Sequence, residues 1–230
     1  MEFGKSFTYI FEEEDWIMKI LLAAVIALIP FVGQLVVAGW GVEITKRAIN
    51  KDSELLPGWS DFVNYLVKGL VLLLIGFVYM LPVILVQVCS NGFLIYGQNS
   101  GQDSLMTISS IVTACFGCLT FIYAVLAGFL MIAAIGKYAD TGEIGAAFRF
   151  GEVFASVKAA PAAYFMVLLG GVIAGVIAFV GIVACVIGVF FTAAIANAII
   201  ANLEGQAYRE SKLILEGRSD ELHDVILGSL

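Results

Sequence analysis

Histidine is nearly absent from this chain. The only one, His223, stands near its C-terminal end. No histidine cluster for acid–base catalysis or metal binding can therefore be assembled within the apolar part of the sequence, and neither a Ser-His-Asp nor a Cys-His set is available there. Charge is scarce as well. Asp, Glu, Lys and Arg make up 13% of the residues against 61% hydrophobic ones, and mean hydropathy is +0.99. That balance excludes a soluble domain and marks an integral membrane protein. No ionisable residue falls at the middle of a long apolar run, so proton- or sodium-driven transport lacks its usual carriers. The net charge of -7 argues against a nucleic-acid partner or a polybasic lipid-binding surface. Cysteine is also sparse. Cys115 and Cys118 have the spacing of half a metal site, but no second pair or histidine completes it, and the two thiols read as packing residues. Cys89, Cys115, Cys118 and Cys185 all fall near expected outer membrane ends, which leaves a disulfide open if that side is oxidising.

What is present is a pattern of basic residues. All 12 Lys and Arg fall in four clusters: Lys5 and Lys19; Lys46, Arg47, Lys51 and Lys68; Lys137, Arg149 and Lys158; and Arg209, Lys212 and Arg218. Between clusters the chain crosses apolar sequence, turns without Lys or Arg, and crosses back. Those turns lie near Pro30 to Gly33, at Ser90 to Ser104 and at Gly181 to Gly188. Because cytoplasmic loops collect Lys and Arg, the pattern predicts three hairpins with both termini inside. Glu12, Glu13, Glu14 and Asp15 precede the first apolar run where a secretory signal would carry basic residues, so the first segment is expected to be retained.

The expected fold is an all-α, polytopic membrane helix bundle of about six membrane helices. Gly69 to Val88 and Phe116 to Gly136 are long enough to cross a ~30 Å hydrocarbon core, and Ala162 to Val180 and Cys185 to Leu203 are close to the minimum. Ile17 to Ile29 and Gln34 to Lys46 would each reach only about 20 Å, which suits a re-entrant or membrane-thinning hairpin. Before each hairpin, polar residues recur at i, i+3 and i+7: Lys5, Thr8 and Glu12; Asp61, Asn64 and Lys68; Arg149, Glu152 and Ser156. Apolar residues hold the other face, among them Phe3, Phe7 and Ile10, then Trp59, Phe62 and Leu66, then Phe150, Phe154 and Val157. Each segment therefore reads as a short amphipathic helix lying in the membrane interface. The arrangement suggests a threefold repeat, with units of about 1–50, 57–138 and 146–209 within one membrane domain (1–209). Residues 210–230 read as a short cytoplasmic tail.

Small residues give the clearest interaction signal. Gly170, Gly171, Ala174, Gly175 and Ala178 leave one helix face nearly bare, which lets another backbone approach closely, either within the chain or across an interface. Asn197, near mid-depth of the last helix, is an expected interhelical hydrogen-bonding residue. Gln34 and Gln87 are the other polar side chains placed to line a path. Glu43 is expected to pair with Arg47 one turn along.

Several stretches carry a resemblance. They are Asp15-Trp16, Ile29-Pro30-Phe31-Val32-Gly33-Gln34, Leu56-Pro57-Gly58-Trp59-Ser60-Asp61-Phe62, Tyr138, Thr141-Gly142, Ala146 to Val153, and Gly205-Gln206-Ala207-Tyr208-Arg209. With them the chain resembles the uncharacterised prokaryotic membrane family known as domain of unknown function 4013. It departs from the family at Glu13-Glu14, where an Asp-Pro often stands. The resemblance implies a multi-pass protein of a prokaryotic plasma membrane and no established activity. The leading expectation is a non-enzymatic scaffold or accessory subunit, with no catalytic, metal or cofactor residues, whose partners are membrane lipids and other membrane subunits or itself. The alternative is a carrier or binder of a lipid or other apolar molecule. A third reading is an interfacial enzyme using acids such as Asp140, Glu143 or Glu152.

Overall fold

A computed structural model describes residues 1–181 and 185–218. His223 and the end of the expected tail lie outside the described residues, as does the centre of the last expected outer turn. All regular structure among the described residues is helical. The order is α1 (Lys5–Glu12), α2 (Trp16–Ala27), α3 (Val32–Asn50), α4 (Phe62–Asn99), α5 (Asp103–Thr141), a short 3-10 helix (Ile144–Phe148), α6 (Phe150–Ala159), α7 (Pro161–Val180) and α8 (Cys185–Leu215). Four helices are long and apolar enough to cross a membrane: α4, α5, α7 and α8 from Gly188 onward. At 1.5 Å per residue α2 reaches only ~18 Å. The 19 residues of α3 would reach about 28 Å, but they include Glu43, Lys46 and Arg47.

The chain forms two compact units, one of residues 1–75 and 132–230 and the other of residues 76–131. In the first, α8 is the central helix and packs against α7, α3, α2, α6 and α1. Its neighbours approach closely because small residues stand at the crossings. Gly205 faces the Thr45 carbonyl at 2.5 Å and the Ala48 methyl at 2.6 Å, measured from where a Cβ would stand. Gly39 of α3 lies against the Tyr65 carbonyl of α4, and Gly69 of α4 lies against the Leu35 carbonyl of α3. Any side chain at these two glycines would displace a backbone.

The second unit is an antiparallel helical hairpin. Expected to turn over Ser90 to Ser104, it stays helical to Asn99, turns at Ser100–Gln102 with Gly101 at φ 68°, and is helical again from Asp103. Polar side chains seal the two helices together. Gln87 Nε2 donates to Thr120 Oγ1 (3.2 Å), Thr113 Oγ1 donates to the Ser90 carbonyl (3.3 Å), and Tyr123 Oη donates to the Tyr79 carbonyl (3.0 Å). Pro82 sits inside α4, as membrane helices tolerate.

Two of the three expected interfacial helices are separate elements, α1 and α6. The second is not, because Trp59 precedes a helix that runs unbroken from Phe62 to Asn99. The physical reason lies at the junctions. Pro161 follows Ala160 and ends α6, whereas Lys68-Gly69 contains no proline and the helix continues. α8 extends to Leu215, into the stretch expected as the tail.

Candidate functional site

Helix ends line two clefts in the first unit. α3 stops where Lys51 takes the left-handed conformation (φ 60°), with its amide donating to the Ala48 carbonyl and that of Asp52 to the Arg47 carbonyl (3.0 Å). α5 stops at Gly142 (φ 72°), and the segment after α8 turns at Gly217 (φ 70°). The C-terminal end of a helix carries unpaired carbonyls and partial negative charge, so cations are favoured there. Lys51, Lys212 and Arg218 occupy such positions. With Asn50, Asp140 and Arg209, and with Ile49 and Leu213 as the apolar wall, they line a cleft of about 450 Å³. Lys212 Nζ donates to both Asp140 carboxylate oxygens, at 2.9 and 2.7 Å, and Arg218 pairs with Glu216 at 3.1 Å. A neighbouring cleft of about 320 Å³ shares Lys51, Arg209 and Leu213 and extends to Lys5, Tyr9, Asp52, Asn202, Gln206 and Glu210.

The other basic residues with described ion pairs belong to the same unit. Lys19 contacts Glu13 (3.0 Å) and Glu54 (2.6 Å), and Arg47 reaches Glu54 at 4.0 Å. Glu43 does meet Arg47 at 3.9 Å, but its shorter contact is with Lys68 across α3 and α4. Lys137 pairs with Glu152, which Arg149 also approaches at 3.7 Å. Hydrogen bonding from Lys19 holds the Glu54 carboxyl below its ordinary range, and Lys137 does the same for Glu152.

The loop between α3 and α4 is braced by the residues around it. Glu13 Oε1 accepts from the amides of Leu55 (2.6 Å) and Leu56 (2.7 Å), and Lys19 Nζ donates to the Leu56 carbonyl (2.7 Å). Trp40 Nε1 donates to the Pro57 carbonyl (2.9 Å), Trp59 Nε1 to the Lys19 carbonyl (2.9 Å) and Tyr65 Oη to the Gly58 carbonyl (2.7 Å). The Trp40 and Trp59 rings stack with centroids 5.3 Å apart. Trp59, expected as an interfacial anchor, is thus a brace between elements. Phe62 is partly exposed at the start of α4.

Polar residues along α8 tie the first unit together. Asn197 Nδ2 donates to the Val37 carbonyl (3.0 Å), Thr45 Oγ1 to the Ala201 carbonyl (3.0 Å) and Tyr9 Oη to the Ala198 carbonyl (2.9 Å). Ser6 Oγ donates to Asn202 Oδ1 (2.8 Å), and Gln206 Nε2 donates to Ser6 Oγ (2.9 Å) and Asn202 Oδ1 (2.6 Å). Tyr164 and Ser211 share a hydrogen bond of 3.0 Å. Of the expected path-lining residues, Gln34 donates to the Ala27 carbonyl (2.8 Å) and so caps α2. Asn197 was visible in the sequence, but Ser6, Thr45, Asn202 and Ser211 were not.

The small residues of α7 divide between two faces. Gly170 and Ala174 are buried, and Gly170 lies against the Leu203 side chain of α8. Thr192 of α8 donates to the Ala178 carbonyl at 3.1 Å. Gly171 and Gly175 have open space where a Cβ would stand, beside exposed Val172, Ile173 and Val176. On α6, Phe150 and Phe154 project outward, while Ser156, expected to meet water, is buried at 5% exposure with Val153. α6 therefore has three faces, since its buried face lies against the 3-10 helix, α7 and α8. Cys89, Cys115 and Cys118 are free thiols. Among the described residues, no group of three or more His, Cys, Asp and Glu converges.

Apolar helices of spanning length, joined by buried side-chain hydrogen bonds, define a polytopic helical membrane protein. Residues 22–201 match the family described as "Protein of unknown function (DUF4013)". The chain belongs to that family. No curated protein and no solved structure matches it.

Proposed function

We propose that this protein is a non-enzymatic scaffold or accessory subunit that works by helix association in the plasma membrane of a prokaryote, with its basic end and both termini in the cytoplasm. In this reading α2 and α3 form a short hairpin that enters the membrane beside the four spanning helices. The observation that carries the proposal is the outer face of α7, where Gly171 and Gly175 are open and the adjoining side chains are apolar. Small residues without an internal partner let a second transmembrane helix approach to backbone distance. The polar side chains along α3 and α8 support the same reading, because their hydrogen bonds join helices of this chain.

Native mass analysis of the protein taken from its own membrane should find it in a stoichiometric assembly, with further copies or with other membrane subunits. Gly175→Leu should dissolve that assembly while leaving monomer melting unchanged, whereas Gly170→Leu should lower melting through its clash with Leu203. A wild-type protein that emerges alone and monomeric would overturn the proposal.

A further inference from the structure

The side of α5 turned away from α4 is left bare by the hairpin. Thr113, Thr120 and Tyr123 share hydrogen bonds with α4. Opposite them stand Ile108, Ile111, Cys115, Cys118 and Ile122, spaced i, i+3, i+7, i+10 and i+14. The three isoleucines are more than half exposed, and both thiols are exposed and free. That spacing has the 3.5-residue period of a coiled-coil seam. Asp103, Thr107 and Ser110, also exposed, hold the flank of the same stretch.

Lipid covers only part of this face. α4 and α5 have 38 and 39 residues, ~57 Å as helices, whereas the hydrocarbon core is ~30 Å thick and is crossed by ~20 residues. Lys68 and Lys137 stand near the ends away from the turn, so the excess length lies at the turn. Counted from Lys137, an upright α5 leaves the core near Gly117. At a tilt of ~40°, the upper end of the usual range, it leaves near Ile111. Ile108 is outside the core in either case. Exposed apolar side chains beyond the lipid mark a protein contact.

We propose that a second copy of this chain covers the face, its α5 lying parallel to this one about a twofold axis along the membrane normal. The seam calls for another helix of the same period, and a twofold axis supplies one with matching residues. Two copies in one bilayer share an orientation, so each seam residue meets its own counterpart. Charge agrees with this pairing. Asp103 is the one charged residue between Lys68 and Lys137, so the seam is neutral and neither attracts a charged partner nor repels its copy. This contact lies on a different helix from the open side of α7, and neither needs the other.

Cys115 and Cys118 report on the contact directly. The full chain is placed in phosphatidylcholine vesicles with lipid in large excess and treated with a short bismaleimide, in variants that keep one cysteine and carry Ser at the others. The same variants are treated in the cell membrane. Those retaining only Cys115 or only Cys118 should cross-link to dimer, whereas Ser110→Cys in the cysteine-free background should stay monomeric. Ile111→Asp should reduce the Cys115 cross-link about tenfold or more, since each copy would face an unpaired carboxylate across the axis. Because Ile111 is exposed in the single chain, monomer melting should not change. Ser110→Asp should leave the cross-link as it is. No dimer from either cysteine would overturn the proposal, and if native mass still finds an assembly, the α7 contact stands without it. Equal cross-linking from Ser110→Cys, or a Cys115 cross-link that survives Ile111→Asp, would mean random collision and overturn it too. So would a cross-link in the cell membrane that joins α5 to a protein of different mass.

Discussion

The side-chain amide of Asn197 on α8 donates to the main-chain carbonyl of Val37 on α3 at 3.0 Å, and the same amide stands 3.0 Å from where a Cβ on Gly41 would lie. One glycine thus makes room for the side chain that fastens the two helices. Asn197→Ala should lower stability by about 0.5–1.5 kcal/mol, the range of interhelical hydrogen bonds. Gly41→Val should cost more, since it meets the amide head-on and separates the helices. Melting of both variants in mild detergent checks the order, and an undisturbed Gly41→Val would mean the crossing is loose.

Much of this architecture was legible from local chemistry. Pro30 and Gly33 mark a real turn, and Pro161 separates α6 from α7. The misreadings have physical causes. Nothing in a sequence window shows that α4 passes Lys68 and Gly69 without a break, because neither residue ends a helix outright. The two faces of α7 both carry small residues, so spacing could not say which one α8 covers. Ser6, Asn202 and Gln206 meet across almost the whole chain, and no periodicity encodes that meeting.

The brace at Lys19 and Glu54 should depend on pH. Hydrogen bonding from Lys19 lowers the Glu54 pKa in the folded state, so the carboxylate contributes stability above its unfolded value. That contribution is lost as pH falls through the lowered folded value. Glu54→Gln should therefore melt slightly below wild type at neutral pH, by a small amount because the carboxylate is exposed. The gap should close in acid. A difference that persists below pH ~3, where even a lowered carboxyl protonates, would assign the effect to something other than this ion pair.

On α6 two substitutions of the same charge should fail in different ways. Ser156 is buried in the first unit, so Ser156→Asp places a carboxylate among packed helices and should lower melting even in detergent. Phe154 is 60% exposed to the surroundings of the chain, so Phe154→Asp should leave melting in detergent nearly unchanged and reduce stable residence in the bilayer. Ser156→Ala should be mild, because its hydroxyl donates to the Glu152 carbonyl one turn back. Comparing membrane-fraction yield with detergent melting separates the two, and identical behaviour would count against the three-faced helix.

Orientation gives the last prediction. Lys212 joins Asp140, and Lys51 and Arg209 share both clefts, so basic residues from distant parts of the chain gather within one unit. Asn99 and the Ser100–Gln102 turn lie at the far end of an apolar hairpin that carries no Lys or Arg between Lys68 and Lys137. Basic segments stay on the cytoplasmic side during insertion, so the turn should face outward and Gly145, beside α6, should face inward. In a background lacking the native cysteines, an impermeant thiol reagent added from outside should modify Asn99→Cys and spare Gly145→Cys until the membrane is opened. The reverse pattern would invert the topology. Modification of both from outside would mean that α4 and α5 do not place their two ends on opposite sides.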